Sequence, residues 1–345
     1  MKKPAFYFML VLAVVSCSKN ENANVQKAKI EVVDYAERLV TLEEPAKKIV
    51  VMADNAFAVV KQLDAIDMVI GIDNKTKGYL PLSIVSHTNP EVLDLPDVGK
   101  TKSPNFEYII SLAPDLVLLK GNKEQADTLE EKTGIPAASI ISIDGYDMEI
   151  YTKIGALLGK DAKAKKVVSL LERKKNEIEE RLSVVSEENR KSAYIIVQNS
   201  KKSLFRTIKS SQALELAGVN SAAINAQNVN QWGFADLSEE EMLRISPDYV
   251  YFDVPTSDDS ITIDDIKSNE TLQFVEAVKQ GRVYKTHTFA LPKDYIYVVA
   301  EAYYYANIAY PEIITAEVYK KAIDEIFEIG YGIKNYYDAW EESLL

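Results

Sequence analysis

The stretch "NFEYIISLAPDLVLL", residues 105–119, sets Glu107 at the head of a short helix, then a Pro-Asp stop, then an apolar strand. The chain writes the same phrase again as "LSEEEMLRISPDYVYF", residues 237–252. Glu107 precedes Pro114, and Glu240 precedes Pro247, at the same spacing. Each proline is followed by aspartate (Asp115, Asp248) and then by a strand-forming run. The two copies stand about 130 residues apart, far beyond the 20–50-residue period of a solenoid. The repeat therefore implies a doubled lobe.

Working outward, strand-like runs alternate with helical ones on both sides of each copy. Before residue 105 come the strands "KIVVM" and "MVIGI" with the helical "NAFAVVKQLDA" between them, its apolar residues spaced at Phe57, Val60 and Leu63. Pro104 can start the helix of the first copy and Pro114 ends it. "EQADTLEEKTG", closed by Gly134, and "ASIISID" complete a first α/β lobe over residues 46–146. Residues 187–330 repeat this grammar, including a single helix over "ETLQFVEAVKQG". Such alternation predicts two doubly wound, mostly parallel α/β lobes. Between them, residues 147–186 form a helical connection with a fresh N-cap at Asp161. Apolar residues at Ala164, Val168, Leu171, Ile178, Leu182 and Val185 keep one seam, interrupted by Lys174 and Lys175. This reads as a strut along both lobes. Residues 18–45 are a polar tether with edge strands, and 331–345 a tail.

The 345 residues carry a net charge of −12, with 47% hydrophobic and 27% charged residues, ordinary proportions for a globular protein. The acidity and the lack of a Lys/Arg stripe exclude nucleic acid as a partner. The single cysteine, Cys17, excludes an internal disulfide and a multi-thiolate zinc site. It follows Lys2, Lys3 and the apolar run "AFYFMLVLAVV", too short to span a bilayer. "VVSC" matches a bacterial lipobox, so residues 1–17 read as a lipoprotein signal with Cys17 the lipidated residue. The body is expected to be exported, held to a membrane by lipid, and monomeric. No G-x-S-x-G elbow, P-loop, G-x-G-x-x-G or H-E-x-x-H occurs, and the two histidines, His87 and His287, fall in different lobes. No enzyme, cofactor or protein-only metal site is expected. The twenty tyrosines, many in the last helices, read as core packing.

Two α/β lobes, a single long connecting helix and a lipobox together resemble the helical-backbone class of substrate-binding proteins of ABC importers, which serve iron–siderophores, haem and cobalamin. Five segments carry the resemblance in order: "RLVTLEEPAKKIVVM", "DVGKTKSPNFEYIISLAPDLVLL", "SSQALELAGVNSAA", "QWGFADLSEEEMLRISPDYVYFD" and "FVEAVKQGRVYKT". Arg206 and Lys209 depart from it, standing where many relatives have small residues. The resemblance implies that one surface glutamate per lobe docks on arginine of the membrane permease. Glu107 and Glu240 match, with Glu239 and Glu241 as neighbours to which the second position can slip. A carboxylate in the first turn of a helix is favoured by the helix dipole.

Ligands of doubly wound sheets sit beyond the carboxyl ends of the strands. That nominates Asn55, Phe57, Tyr79 and Lys102 in the first lobe, and Arg206, Trp232, His287 and Phe289 in the second. Arg206 and Lys102 suit an anionic iron chelate. The aromatic residues suit the faces of cobalamin or haem, for which Tyr and His are also axial ligands. The iron–siderophore is the preferred ligand, with cobalamin or haem as alternatives. An exported sensor or adhesion module on the same fold is the alternative from another class.

Overall fold

The computed structural model describes residues 29–140, 147–197, 203–230, 233–253, 261–287 and 294–344. A hairpin of β1 (Ile30–Val33) and β2 (Leu39–Leu42) precedes β3 (Ile49–Met52), α1 (Asp54–Gln62), β4 (Val69–Ile72) and the short helices α2 (Asn74–Tyr79) and α3 (Ile84–Thr88). A second hairpin, β5 (Gly99–Lys100) and β6 (Ser103–Pro104), leads to α4 (Phe106–Leu112), β7 (Leu116–Leu119), α5 (Lys123–Thr133) and β8 (Ala137–Ser139). The strands β4-β3-β7-β8 form one parallel sheet in that order. Every residue of β3 ("IVVM") and β7 ("LVLL") is buried, as a parallel strand covered on both faces requires.

Helices α6 (Glu149–Leu158) and α7 (Asp161–Leu182) follow. Gly159 ends α6 in the left-handed region, with φ 65°, where only glycine is free of Cβ strain. The N-cap of α7 is Lys160 and not Asp161, which lies in the first turn and so favours the helix through its charge. At about 1.5 Å per residue α7 spans roughly 33 Å. Its buried face is Ala164, Val167, Leu170, Leu171, Lys174, Ile178 and Leu182, so Val167 and Leu170 carry the seam in place of Val168. Lys174 belongs to that seam. It is 2% exposed, its ammonium 3.0 Å from Glu177 and 2.9 Å from Glu325.

The second lobe contains β9 (Ser192–Ile196), β10 (Arg206–Ile208), α8 (Gln212–Leu216), β11 (Asn220–Ser221), β12 (Phe234–Asp236), α9 (Glu239–Ile245) and β13 (Tyr249–Asp253). Then come α10 (Ile263–Ser268), α11 (Glu276–Lys279), β14 (Val283–Thr286), α12 (Tyr295–Ala309), α13 (Ala316–Tyr331) and α14 (Tyr337–Glu342). The single helix expected over 270–281 is instead a 3₁₀ turn, Leu272–Phe274, and the four-residue α11. The extended Val275 separates them. Pro104 starts no helix either: it closes the β5–β6 hairpin, and Asn105 caps α4.

Strands β11-β9-β13-β14 are mutually parallel, and antiparallel β10 and β12 extend the β9 edge. Alternate residues of the central strands serve different cores, following the period-2 pleat. Ile49 and Val51 of β3 share one apolar cluster with Ala193 and Ile195 of β9, with α6 and α7, and with α12 and α13. Val50 and Met52 face a cluster of the first lobe alone, and Tyr194 and Ile196 one of the second. Each sheet thus has a private face and a face on a core common to both. A buried polar network crosses that common core. The Tyr151 hydroxyl donates to Gln62 Oε1 (2.6 Å), Gln62 Nε2 to the Tyr331 hydroxyl (2.8 Å), and Tyr331 to Asp294, which caps α12.

Candidate functional site

The repeated phrase folds into the same device twice. In the first lobe, the Asn105 side chain accepts from Tyr108 N (3.1 Å) to start α4, and Ala113 ends it at φ 51°. Asp115 then accepts from the backbone N–H groups of Lys47 and Lys48, both at 2.8 Å, pinning the start of the adjacent β3. In the second, Ser238 and Glu241 form a capping box at α9, and Ser246 ends the helix at φ 41°. Asp248 accepts from Ser192 N (2.8 Å) and Ser192 Oγ (2.9 Å) at the start of the adjacent β9. The cap satisfies free N–H groups, the left-handed residue turns the chain, and the aspartate fixes the next strand against its neighbour.

Among the three consecutive glutamates of α9, neighbouring groups hold two. Glu239 accepts from the Thr271 hydroxyl, and Glu241 closes the capping box. Glu240 is exposed and makes no hydrogen bond or ion pair among the described residues; the same holds for Glu107 on α4. Exposed apolar side chains flank both, Tyr108 and Ile110 on α4 and Leu243 on α9.

At the carboxyl ends of the first sheet the chain collects charge. Asp54 follows β3 and is 8% exposed. Lys75, from α2 beyond β4, pairs with it at 2.5 Å, and Lys120, which follows β7, lies 3.8 Å away. Burial by itself would raise the Asp54 carboxyl, but Lys120 and Lys75 hold it below the ordinary aspartate value. The Lys75 ammonium also sits 5.6 Å from the centre of the Tyr79 ring. The Met52 carbonyl at the end of β3 accepts from both Lys120 N (3.1 Å) and Thr101 Oγ1 (3.3 Å). That brings the β5–β6 hairpin, with exposed Lys102 at its tip, to the same strand end.

Of the residues nominated from sequence, Asn55, Tyr79 and Lys102 lie around this cluster. Phe57 does not: it is 3% exposed and packs in the common core, because α1 turns it inward with Val60. Sequence reading passed over Asp54, Lys75 and Lys120. Their signal is that they follow the strands β3, β4 and β7 closely, the positions from which ligand groups come.

In the second lobe, Arg206 starts β10 beside the carboxyl end of β9. It is already paired with Asp236 (3.0 Å) and lies 5.3 Å from the centre of the Phe234 ring. His287 follows β14 but is drawn into the protein's tail. Its ring lies 4.1 Å from that of Trp340, its Nε2 is 3.1 Å from Ser343 Oγ, and its Nδ1 is 3.8 Å from buried Glu301. Trp340 is fully buried and donates to the Tyr319 hydroxyl (2.6 Å). Trp232, Phe289 and Cys17 lie outside the described residues. Among the described residues there is no group of three His, Cys, Asp or Glu side chains able to hold a metal ion, and no helix is long and apolar enough to cross a membrane.

Two curated proteins of Bacillus subtilis (strain 168) are similar along most of the chain. One, named an uncharacterized ABC transporter substrate-binding lipoprotein, YvrC, is 24% identical over 82% of this chain and 89% of its own. The other, the Fe(3+)-citrate-binding protein YfmC, is 25% identical over 79% of this chain and 84% of its own. The crystal structure of a periplasmic solute binding protein from Veillonella parvula superposes with a TM-score of 0.76 at 20% identity, covering 92% of this chain and 97% of that one. Residues 49–288 match the family described as "Periplasmic binding protein", and the chain belongs to it: a substrate-binding protein and not an enzyme.

Proposed function

We propose that this substrate-binding protein of an ABC importer captures an iron chelate between its lobes and hands it to the membrane permease through Glu107 and Glu240. The observation that carries the docking half is the doubled device at α4 and α9. In each lobe it leaves one first-turn carboxylate exposed and unengaged on a rigidly stapled helix. Two such charges at a fixed separation make a geometric key for complementary cations. With Glu239 and Glu241 engaged nearby, Glu240 is the second docking residue.

The iron chelate is supported by the cations at the first sheet's strand ends and by the name of one curated relative, an Fe(3+)-citrate-binding protein. Lipidation at Cys17 agrees with the other relative's name as a lipoprotein. Helix α7 packs against both α6 and α8, and the Gln62–Tyr331–Asp294 network crosses the common core, so closure on binding is modest. Native mass spectrometry of the protein isolated from its own host tests the cargo. A retained one-to-one adduct with the mass of a ferric chelate is expected, and a corrinoid or haem adduct overturns the iron reading.

A further inference from the structure

We propose that Lys75 and Lys120, gathered on buried Asp54, are the anion-gripping half of the ligand site, and that the cargo is a compact iron chelate presenting carboxylate oxygens, not a flat macrocycle. This inference rests on the function proposed above and deepens it.

Three observations converge. The first is the charge at one strand end: Lys75 and Lys120 pair with Asp54, buried Asp73 is near enough to act on Lys75, and Lys102 has no ion pair among the described residues, so three ammonium groups meet two carboxylates. Lys75 and Lys120 are each partly exposed, at 53% and 37% of their side chains, whereas the Asp54 side chain beneath them is 6% exposed. A buried carboxylate that orients two outward ammonium groups spares them ordering entropy on binding, which is preorganisation.

Second, Asn55 Oδ1, next in the chain after Asp54, is buried without a hydrogen-bond partner among the described residues. An unsatisfied acceptor next in the chain to the carboxylate that both lysines grip suits a ligand that brings an O–H or N–H group together with its anionic oxygens.

The third concerns aromatic surface. A corrin or porphyrin needs open ring faces on which to lie. Here Lys75 lies against the Tyr79 ring, Arg206 against the Phe234 ring, and Phe57 is in the core. The Tyr79 and Phe234 faces are thus already covered by cations.

Isothermal titration of the full-length protein with ferric citrate, a ferric tris-catecholate, haemin and cyanocobalamin separates the outcomes. Removing only the lysines would strand the buried Asp54 carboxylate and endanger folding. The variant is therefore Asp54→Asn/Lys75→Gln/Lys120→Gln, compared with Lys75→Arg/Lys120→Arg, which keeps both charges. Ferric citrate should bind the wild type one-to-one. It should bind the triple variant about a hundredfold more weakly, at about tenfold per lost charged hydrogen bond. The arginine pair should recover most of that loss. High salt should weaken the wild type far more than the triple variant. Ferric citrate binding the folded triple variant within about threefold of wild type overturns the anion half-site and leaves the iron reading standing. Binding of only the catecholate complex overturns the carboxylate class. Binding of haemin or cyanocobalamin alone, or of no iron complex at all, overturns the iron reading and this inference with it.

Discussion

The two lobes share a sheet and differ in what they place at its end. Taken in chain order, the first lobe's strands lie 2-1-3-4 as β4-β3-β7-β8, and the second's parallel strands lie the same way as β11-β9-β13-β14. The stapling aspartates Asp115 and Asp248, the left-handed Ala113 and Ser246, and the exposed Glu107 and Glu240 occupy matching places. Beyond the strands' carboxyl ends the match stops. The first lobe gathers Lys75 and Lys120 on one buried aspartate. The second adds the β10–β12 pair, whose Arg206 is met by Asp236, and it folds the tail over His287. On the proposed reading, symmetry is kept where the permease must be met and abandoned where the ligand must be held.

The largest effect tests the element with no counterpart in the first lobe. Trp340→Ala empties a fully buried site and removes the indole N–H from the Tyr319 hydroxyl, which keeps its bond to Glu341, so it should cost about 3–5 kcal/mol, read from the denaturant midpoint. Hydrogen exchange should rise around α13 and β14 and leave β3 and β7 protected. Equal loosening of both sheets would mean that the tail supports the whole molecule.

Next come the staples. Asp115→Ala and Asp248→Ala each remove two hydrogen bonds to a carboxylate, at about 1–3 kcal/mol. Asp248→Ala should cost more, because Asp248 is less exposed and its carboxylate also accepts from the Ser192 hydroxyl (2.9 Å), which would lose its acceptor. The reverse order in urea melts would break the equivalence drawn between the two devices.

An effect of acid belongs to the strut. Burial by itself would raise the Glu325 carboxyl, but hydrogen bonds and attraction from Arg173 and Lys174 bring it down to about 2. A depressed carboxylate stabilises the fold fully above its unfolded value of about 4.3 and loses that contribution as pH falls through its folded value. The stability advantage of wild type over Glu325→Gln should therefore be constant near neutrality and shrink from about pH 4.5 downward. An advantage unchanged at pH 2.5 would show that the carboxylate charge is not what matters.

The smallest effect sharpens the match. Ala113→Gly and Ser246→Gly relieve a Cβ held in the left-handed region, where an L-residue is strained by roughly 1 kcal/mol. Each should raise stability by about 0.5 kcal/mol after glycine's greater unfolded-state entropy is subtracted. A loss at one site alone would mark a cap that depends on its side chain.

What was legible in the sequence was local. "APDLVLL" and "SPDYVYF" carry helix stop, turn and strand within seven residues, and the α7 seam repeats with helical period, so the lobes and the strut could be read off directly. What escaped reading depends on contacts between distant segments. Lys75 and Lys120 meet Asp54 only because the sheet order places β3 between β4 and β7. Lys174 looked like a break in the seam because its partner Glu325 lies on α13, far along the chain. The Asp236 partner of Arg206 escaped because a three-residue strand such as β12, which brings it there, shows no usable periodicity. The contact of His287 with the tail escaped because a short terminal helix gives no sign of where it will dock.

Docking through the doubled glutamate is the central proposal. Its most direct test is uptake of the chelate by cells carrying Glu107→Lys/Glu240→Lys, measured beside the affinity of the purified variant for the same chelate. Both substitutions fall on exposed side chains that make no hydrogen bond or ion pair among the described residues, so folding and affinity should match wild type. Uptake should fall to background, with each single reversal intermediate. Transport at the wild-type rate by the double variant would contradict the account.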